Sequence, residues 1–280
     1  TRQLAVVAAE STHPGGGSRY TWRVTVDAPA CAEPDPFQRW LTALEERHLA
    51  DLRPAEVSRA LRALSSAYVE RRDRLGRGAA LDGAGKRAAF ALFYGPLHFL
   101  ATREIVRALG IADPAPGVIT DLGCGTGAAG AAWALEASGR PRVVGMDRHP
   151  WAVEEARWSY RTLGLDGDAR RGDIVRARPV SRGAAVVAAY TMNELDDAAR
   201  AVVLPQLLGA SGRGSCVLII EPIGSVVGPW WQTWRTAFQQ AGGRADEWRF
   251  ALTLPSLVAR LDRAAGLDHR ELTARSLYLP

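Results

Sequence analysis

The residues most able to do chemistry lie between positions 118 and 128, where Val118, Ile119, Thr120, Asp121 and Leu122 lead into Gly123, Cys124, Gly125, Thr126, Gly127 and Ala128. A short apolar run of strand length gives way to glycines and then to small residues that can open a helix. Glycine is needed where the backbone takes left-handed dihedrals or where a ligand must approach with no Cβ in the way. Gly123, Gly125 and Ala128 meet the G-x-G-x-x-G/A spacing of a nucleotide-binding turn. Asp121 decides which nucleoside suits it. A dinucleotide would bring a doubly negative pyrophosphate against that carboxylate at short range. S-adenosylmethionine has no phosphate and carries an ammonium and a sulfonium, so an acid beside the turn favours it.

Two further acids extend the constellation. Asp147 ends the next apolar run, Arg142–Met146, where a carboxylate can accept both ribose hydroxyls. Dinucleotide and adenosyl cofactors both use such an acid, so it does not discriminate. Asp173, in Arg171-Gly172-Asp173-Ile174, follows a short strand and can accept the adenine amino group. The expected cofactor-binding set is Asp121, Gly123, Cys124, Gly125, Gly127, Asp147, Arg148, Asp173, Ile174 and Tyr190.

In an open α/β sheet, ligands lie beyond the carboxyl ends of the strands. The fourth strand of the series ends at Tyr190, so residues 190–194 should face the reacting methyl group. Transfer is a displacement at carbon, with the acceptor held in line at about 3 Å, and positioning supplies much of the rate. A neutral amine or hydroxyl acceptor also needs a base, for which Tyr190, Glu194 and His98 are the candidate catalytic residues. Tyr94, His98, Asn193, Glu194, Trp230 and Trp231 are the candidate substrate-binding residues. Each has a structural alternative. Glu194 can cap the helix that follows it, Tyr190 can pack a strand end, and His98 can sit in a core. The tryptophans, part of a total of nine, can pack the last helix. His149 either flanks the adenine or belongs to a turn. No metal site is expected, because the five histidines are scattered and His-Glu-x-x-His is absent. Neither a Gly-x-Ser-x-Gly elbow nor a Gly-x-x-x-x-Gly-Lys loop occurs. No Asn/Asp-Pro-Pro-Tyr segment occurs either.

The elements that must hold these residues alternate in type. Strands are predicted at Val118–Leu122, Arg142–Met146, near Ala169–Arg170, at Ala184–Tyr190 and at Cys216–Ile220. Helices are predicted at Ala128–Ser138, Trp151–Thr162, Ala198–Leu208 and Trp230–Ala241, and residues 267–279 read as a closing strand. Continuous apolar strands between helices imply a parallel sheet covered on both faces. The N-terminal part differs. Residues 4–9 and 20–27 read as a hairpin across a glycine-rich turn at 13–18. Pro29, Pro34 and Pro36 mark a linker. One helix carries Phe37, Trp40, Leu41, Leu44 and His48 on a face, and another opens at Pro54 and carries Val57, Leu61, Leu64 and Tyr68. A glycine-rich loop at 76–85, an apolar segment at 86–94 and a helix from Pro96 to about Leu109 complete it. The division expected is an accessory or lid region over 1–112 and a nucleoside-binding domain over 113–280.

With these residues in place, a family resemblance follows. The run Asp121-Leu122-Gly123-Cys124-Gly125-Thr126-Gly127 resembles the first motif of class I S-adenosylmethionine-dependent methyltransferases. Gly145-Met146-Asp147 resembles the second and Gly172-Asp173-Ile174 the third. Ile219-Ile220-Glu221-Pro222 is similar to the end of that family's fifth strand. The resemblance covers about 115–280, with the motifs in family order. It implies a Rossmann-like, doubly wound, mostly parallel seven-stranded sheet, S-adenosylmethionine as cofactor, and methylation of a small molecule or RNA. A narrower resemblance joins residues 188–195 and 94–102 to the mitochondrial ribosomal small-subunit methyltransferase-like family, whose iron–sulfur cysteine cluster is absent here. The alternatives to methylation are a nicotinamide-dependent oxidoreductase, a non-catalytic adenosyl-ligand-binding ribosome assembly factor, and an S-adenosylmethionine-dependent cyclase.

Bulk composition constrains less. The 280 residues are 47% hydrophobic and 23% charged, with a formal charge of +5. Lys86 is the single lysine, and the arginines are spread along the chain, so RNA binding rests on charge alone. No apolar run reaches membrane-helix length. The segment after Thr1-Arg2-Gln3 makes a poor signal peptide. Cys31, Cys124 and Cys216 form neither a disulfide framework nor a metal-ligand spacing, so the expected setting is the reducing cytoplasm. Oligomeric state leaves no signal in the sequence.

Overall fold

Apolar strands that alternate with helices bury themselves as a sheet covered on both faces, and the computed structural model takes that form. It describes residues 9–12, 18–23, 35–70, 81–177, 182–223, 230–251 and 253–280. The strands are β1 (Ala9–Thr12), β2 (Ser18–Arg23), β3 (Val118–Leu122), β4 (Arg142–Asp147), β5 (Gly167–Arg171), β6 (Ala185–Ala189), β7 (Cys216–Glu221), β8 (Arg244–Ala251) and β9 (Glu271–Leu279). Their order is β1-β2-β8-β9-β7-β6-β3-β4-β5. Strands β3 to β9 make the expected seven-stranded Rossmann-like sheet, in which β9 alone runs antiparallel to its neighbours. The hairpin β1–β2 does not stand apart from that sheet, because β2 pairs in parallel with β8 and extends it. The chain runs outward from β3 to β5 and then returns to β6 beside β3. That reversal opens a crevice at the carboxyl ends of β3 and β6, which is the usual ligand position in such sheets.

The helices are α1 (Pro36–His48), α2 (Pro54–Glu70), α3 (Ala84–Ala89), α4 (Gly95–Leu109), α5 (Ala128–Glu136), α6 (Pro150–Thr162), α7 (Asp197–Ser211), α8 (Trp230–Gln240) and α9 (Ser256–Ala265). Phe37, Trp40, Leu41 and Leu44 are the buried stripe of α1. Trp40 Nε1 donates to Ser159 Oγ at 3.1 Å, and the Phe37 and Phe99 rings stack at 4.6 Å. Glu155, on α6, is buried and accepts from Arg47 Nε at 3.2 Å and pairs with His48 Nε2 at 2.7 Å. On α2, Val57, Leu61 and Leu64 are fully buried. These residues join Trp133, Tyr160 and Val143 in one apolar cluster, so the N-terminal helices share a core with one face of the sheet. The other face is covered by Val203, Leu207, Trp234 and Phe238.

Several boundaries differ from the sequence expectation. Residues 4–8, 13–17 and 24–27 lie outside the described residues, as do Pro29, Cys31, Pro34 and 76–80 of the glycine-rich stretch, and nothing is described of the Tyr68 side chain. The segments 86–94 and 97–109, expected to be separate, form one rod in which α3 passes through a π-helical turn, Phe90–Tyr94, into α4. The widened turn bonds Gly95 N–H to Phe90 O and accommodates Pro96, whose missing N–H would break an ordinary helix. The strand β8 and the helix α9 were not expected. Their signals were present: Asp246, Trp248 and Phe250 alternate inward on β8, and Leu257, Val258, Leu261 and Ala265 line one side of α9 before Gly266 caps it at φ 75°. Among the described residues no helix is long and apolar enough to cross a membrane.

Because α1 and the sheet share one core, Trp40→Ala should remove roughly 3–5 kcal/mol of stability while leaving a single unfolding transition. Urea denaturation followed by both fluorescence and circular dichroism checks this; two separate transitions would mean that α1 is not part of that core.

Candidate cofactor and acceptor site

The turn between β3 and α5 is built with no tolerance for side chains. Gly123, Gly125 and Gly127 take φ values of 70°, 51° and 80°, in the left-handed region that glycine occupies without strain. A Cβ on Gly123 would lie 2.3 Å from Thr191 Cγ2. Gly123 N–H and Cys124 N–H both donate to Met146 O, at 2.8 and 3.0 Å, which ties the turn to the end of β4. Thr191 Oγ1 donates to Ala189 O at 3.0 Å, and its contact with Gly123 joins the turn to the end of β6.

Asp121 lies beneath this turn, 1% exposed. Its Oδ2 accepts Gly130 N–H at 2.8 Å, while Oδ1 is buried without a hydrogen-bond partner among the described residues. Burial raises its carboxyl to about 7, against the Gly130 N–H and with the help of Asp147. Asp147 ends β4. Its Oδ2 accepts Gly125 N–H at 2.9 Å and its Oδ1 accepts His149 N–H at 2.8 Å. Each oxygen retains a lone pair for a further donor.

These groups line a cavity of about 810 Å³. Its floor is the carboxyl ends of β3, β4, β6 and β7. The π turn and the start of α4 cover it with Phe90, Tyr94, Leu97 and His98, and the start of β9 closes it with His269, Glu271, Leu272 and Thr273. Tyr190 takes φ 57°, a left-handed conformation unusual for a side chain of its size, and its ring stacks on His98 at 3.9 Å and 12°. Burial among aromatic neighbours holds the His98 imidazole neutral, pushed down to about 3, and pushes the Tyr190 phenol up. Glu194 is exposed and lines the cavity. The protein packed around it raises its carboxyl to about 7, with Asp147 adding and Arg148 opposing. Glu194 does not cap the next helix, because Asp196 occupies the N-cap of α7 and accepts Ala199 N–H at 2.7 Å.

Of the residues singled out in the sequence, the fold brings Asp121, Gly123, Cys124, Gly125, Asp147, Arg148, Ile174 and Tyr190 to the cavity wall, together with Tyr94, His98, Asn193 and Glu194. Gly127 lies behind the wall, where a Cβ would meet Tyr160 at 2.7 Å. Asp173 is not on the wall either. It caps the turn Ile174–Arg176 by accepting Val175 N–H at 3.1 Å and pairs with Arg148 Nη2 at 2.9 Å. Trp230 and Trp231 are not brought there: Trp230 packs on Trp234 within the core of the opposite face, and the Arg275 guanidinium covers the Trp231 ring at 3.7 Å. His149, which left two readings open, does both: it caps α6 by accepting Trp151 N–H at 3.2 Å, and it lines the cavity.

Glu221 is the principal residue that sequence reasoning did not place in the site. Fully buried at the end of β7, it accepts Met192 N–H at 2.7 Å, Asn193 N–H at 3.2 Å and Asn193 Nδ2 at 2.5 Å. Burial raises it to about 8. The run Ile219-Ile220-Glu221-Pro222 marked it as a strand end but not as a clamp on the 191–195 turn. His269 is a second. Its ring pairs with the buried Asp262 at 2.5 Å, a contact between the end of α9 and the β9 approach that no local pattern announces.

Sheet order, switch-point crevice and acid-bearing glycine turn together define a Rossmann-like protein of the kind that binds adenosyl nucleosides. A methyltransferase-domain family model matches residues 119–209, which span the turn, Asp147, Asp173 and Tyr190 to Glu194. Residues 119–209 are accordingly a methyltransferase domain, with S-adenosylmethionine as its cofactor. No curated protein matches the chain. Among solved structures, mitomycin 7-O-methyltransferase is similar in fold, with a TM-score of 0.50 and 16% identity over 88% of this chain and 74% of its own. An S-adenosylmethionine-dependent methyltransferase of Aquifex aeolicus matches with a TM-score of 0.39 and 16% identity, over 61% of this chain and 86% of its own.

The site fits that cofactor on its own terms. Asp121 Oδ1 is a buried acceptor that lacks a donor, and a cationic nucleoside supplies one. The raised carboxyl also gives a pH test. The ordinary value is 3.8 and the folded value about 7, so between them the folded chain keeps a proton that the unfolded chain has lost, and stability falls as pH rises through that window. Asp121→Asn, which retains an acceptor for Gly130 N–H, should therefore melt higher than the parent above pH 7, by roughly 5 °C, with the difference vanishing near pH 4. Scanning calorimetry across pH checks it; parallel curves for the two proteins at every pH would contradict it.

Proposed function

We propose that this methyltransferase acts on a small-molecule nucleophile enclosed in the cavity. The observation that carries the reading is continuity: a single cavity of about 810 Å³ is lined both by the glycine turn with Asp121 and Asp147 and by Tyr190, His98, Asn193 and Glu194. That volume falls within the ~300–1,000 Å³ of sites that enclose small ligands. The charge of the wall argues in the same direction. Asp121, Asp147, Glu194, Glu221 and Glu271 face Arg148 and Arg171, so a phosphate backbone meets more acid than base. A small acceptor is favoured over RNA on that ground.

In this reading Asp121, Gly123, Cys124, Gly125, Asp147, Arg148 and Ile174 hold the cofactor. When bound, S-adenosylmethionine supplies an electrophilic methyl carbon on a positively charged sulfur. Asp121 Oδ1 accepts a donor of the cationic end, and Asp147 accepts the ribose hydroxyls while its backbone bonds keep the turn closed. Gly127 and Asp173 act behind the wall, the first by starting α5 and the second by holding Arg148 in place. Phe90, Tyr94 and Leu97 exclude water from the acceptor end. The raised carboxyl of Glu194 suits a base working near neutral pH, and the imidazole of His98, near 3, is too weak a base to compete. Tyr190, kept protonated, donates and stacks rather than abstracting a proton.

Calorimetric titration with S-adenosylhomocysteine and with NAD, followed by transfer of a labelled methyl group to small-molecule and RNA fractions, tests the reading. The expected result is binding of the adenosyl ligand, no binding of NAD, and label in the small-molecule fraction. Label confined to RNA would overturn the choice of acceptor. Asp147→Ala should weaken adenosyl-ligand affinity by roughly 10–100-fold, the equivalent of a charge-assisted hydrogen bond, and unchanged affinity would remove Asp147 from the cofactor set.

A further inference from the structure

We propose that the acceptor is a small primary or secondary amine, taken up as its ammonium ion against Glu194 and the ring faces of Phe90, Tyr94 and Tyr190. The inference deepens the methyltransferase reading and rests on it. Its basis is the kind of group that the acceptor end offers. Glu194 presents a carboxylate with no hydrogen-bond partner among the described residues, on the cavity wall. Asn193 turns its Nδ2 to Glu221 at 2.5 Å, so the part of its amide left to a ligand is the carbonyl oxygen. His98 is a neutral imidazole with a lone pair. The Phe90, Tyr94, His98 and Tyr190 rings form a contiguous aromatic group, with Phe90 and Tyr94 at 5.9 Å, Tyr94 and His98 at 6.1 Å, and His98 and Tyr190 at 3.9 Å. Acceptors and aromatic faces together are what an ammonium ion needs: it has only donors, and ring faces attract its charge.

The cations of the wall do not alter this. Arg148 is held by Asp173 at 2.9 Å, and Arg171 Nε donates to Arg148 O at 3.2 Å; Arg148 also acts on Glu194, but Asp147 acts on it at least as strongly and with the opposite sign. An acidic acceptor entering beside Glu194 would bring like charge to like charge. For the amine, Glu194 takes the proton that the ammonium sheds. The freed nitrogen lone pair then forms the N–C bond as the C–S bond breaks, and that bond's electron pair stays on sulfur. Glu221 is a positioning residue in this scheme, since it fixes Met192, Asn193 and through them the turn that carries Glu194.

The test uses the full chain saturated with S-adenosylhomocysteine and three matched probes: benzylamine, benzyl alcohol and benzoate. Binding is read by calorimetry, independently of turnover. Benzylamine should bind at least about tenfold tighter than either analogue, the size of one charge-assisted contact plus a cation–π contact. Glu194→Gln should reduce benzylamine affinity by about tenfold or more while leaving S-adenosylhomocysteine affinity within about twofold. Tighter binding of benzoate or benzyl alcohol, no binding of benzylamine, or benzylamine binding untouched by Glu194→Gln would each overturn the proposal. Failure of the parent chain to bind S-adenosylhomocysteine is a different result, since it would overturn the cofactor reading on which the proposal stands.

Discussion

A carboxylate nearly removed from water, with one oxygen satisfied and the other without a donor, is an expensive thing for a fold to keep. Asp121 is that group, and much of the molecule serves to keep it in place. The strand β3 lies inside the sheet, paired with β6 on one side and β4 on the other. The glycine turn above it is bonded to Met146 O on β4 and presses on Thr191 beyond β6. The first turn of α5 sends Gly130 N–H back to Oδ2 and leaves Oδ1 buried without a partner among the described residues. A positive ligand relieves the burial of this charge, whereas a phosphate aggravates it. Glycine at the turn leaves room for a positive ligand to approach the buried acid.

The remainder of the cavity follows from how the N-terminal helices are attached. They share an apolar cluster with the sheet, and the Trp40–Ser159 bond and the buried Glu155 fix α1 on α6. With that anchorage, the rod made of α3, the π turn and α4 lies across the switch point. The π turn shifts the register of side chains along the rod, so Phe90, Tyr94 and His98 all reach the same cavity. Tyr190 meets them from the sheet in a left-handed conformation held by its N–H bond to Ile220 O at 2.7 Å. The turn that follows is then secured from below by Glu221. The cavity is thus built from different layers, with strand ends and the glycine turn on one side and a helical roof on the other.

What could be read in advance divides along the same line. The strand β3 came out of the sequence at its observed bounds, because a run of five apolar-rich residues ending in glycines leaves few alternatives. The acids Asp121 and Asp147 were legible for a similar reason: both end strands whose neighbours along the chain mark them. Asp173 was legible as a residue at a strand end, but its direction was not. It turns to Arg148 and Val175, and the cavity is left to Gly172 and Ile174. Trp230 and Trp231 follow the fifth parallel strand, a position from which the sequence predicts substrate contact, yet neither lines the cavity and Trp230 packs in the core with Trp234 and Phe238. The strand β8 went unread because its first inward position is a charge, Asp246, which pairs with Arg244 at 2.7 Å.

The sequence by itself determined the strand–turn–helix unit, the acids that end successive strands, and the alternation that makes the sheet parallel. Each of these is a short-range property, set by residue type and spacing along a few turns of chain. Only the tertiary structure decided that β2 extends the sheet, that a π turn brings Phe90, Tyr94 and His98 into one cavity with Tyr190, and that Glu221 fastens the 191–195 turn. Those contacts join residues from about 28 to more than 200 positions apart. The physical reason is that burial, not spacing, selects them: which side chain reaches which depends on the layers packing into one core, and no local pattern carries that information.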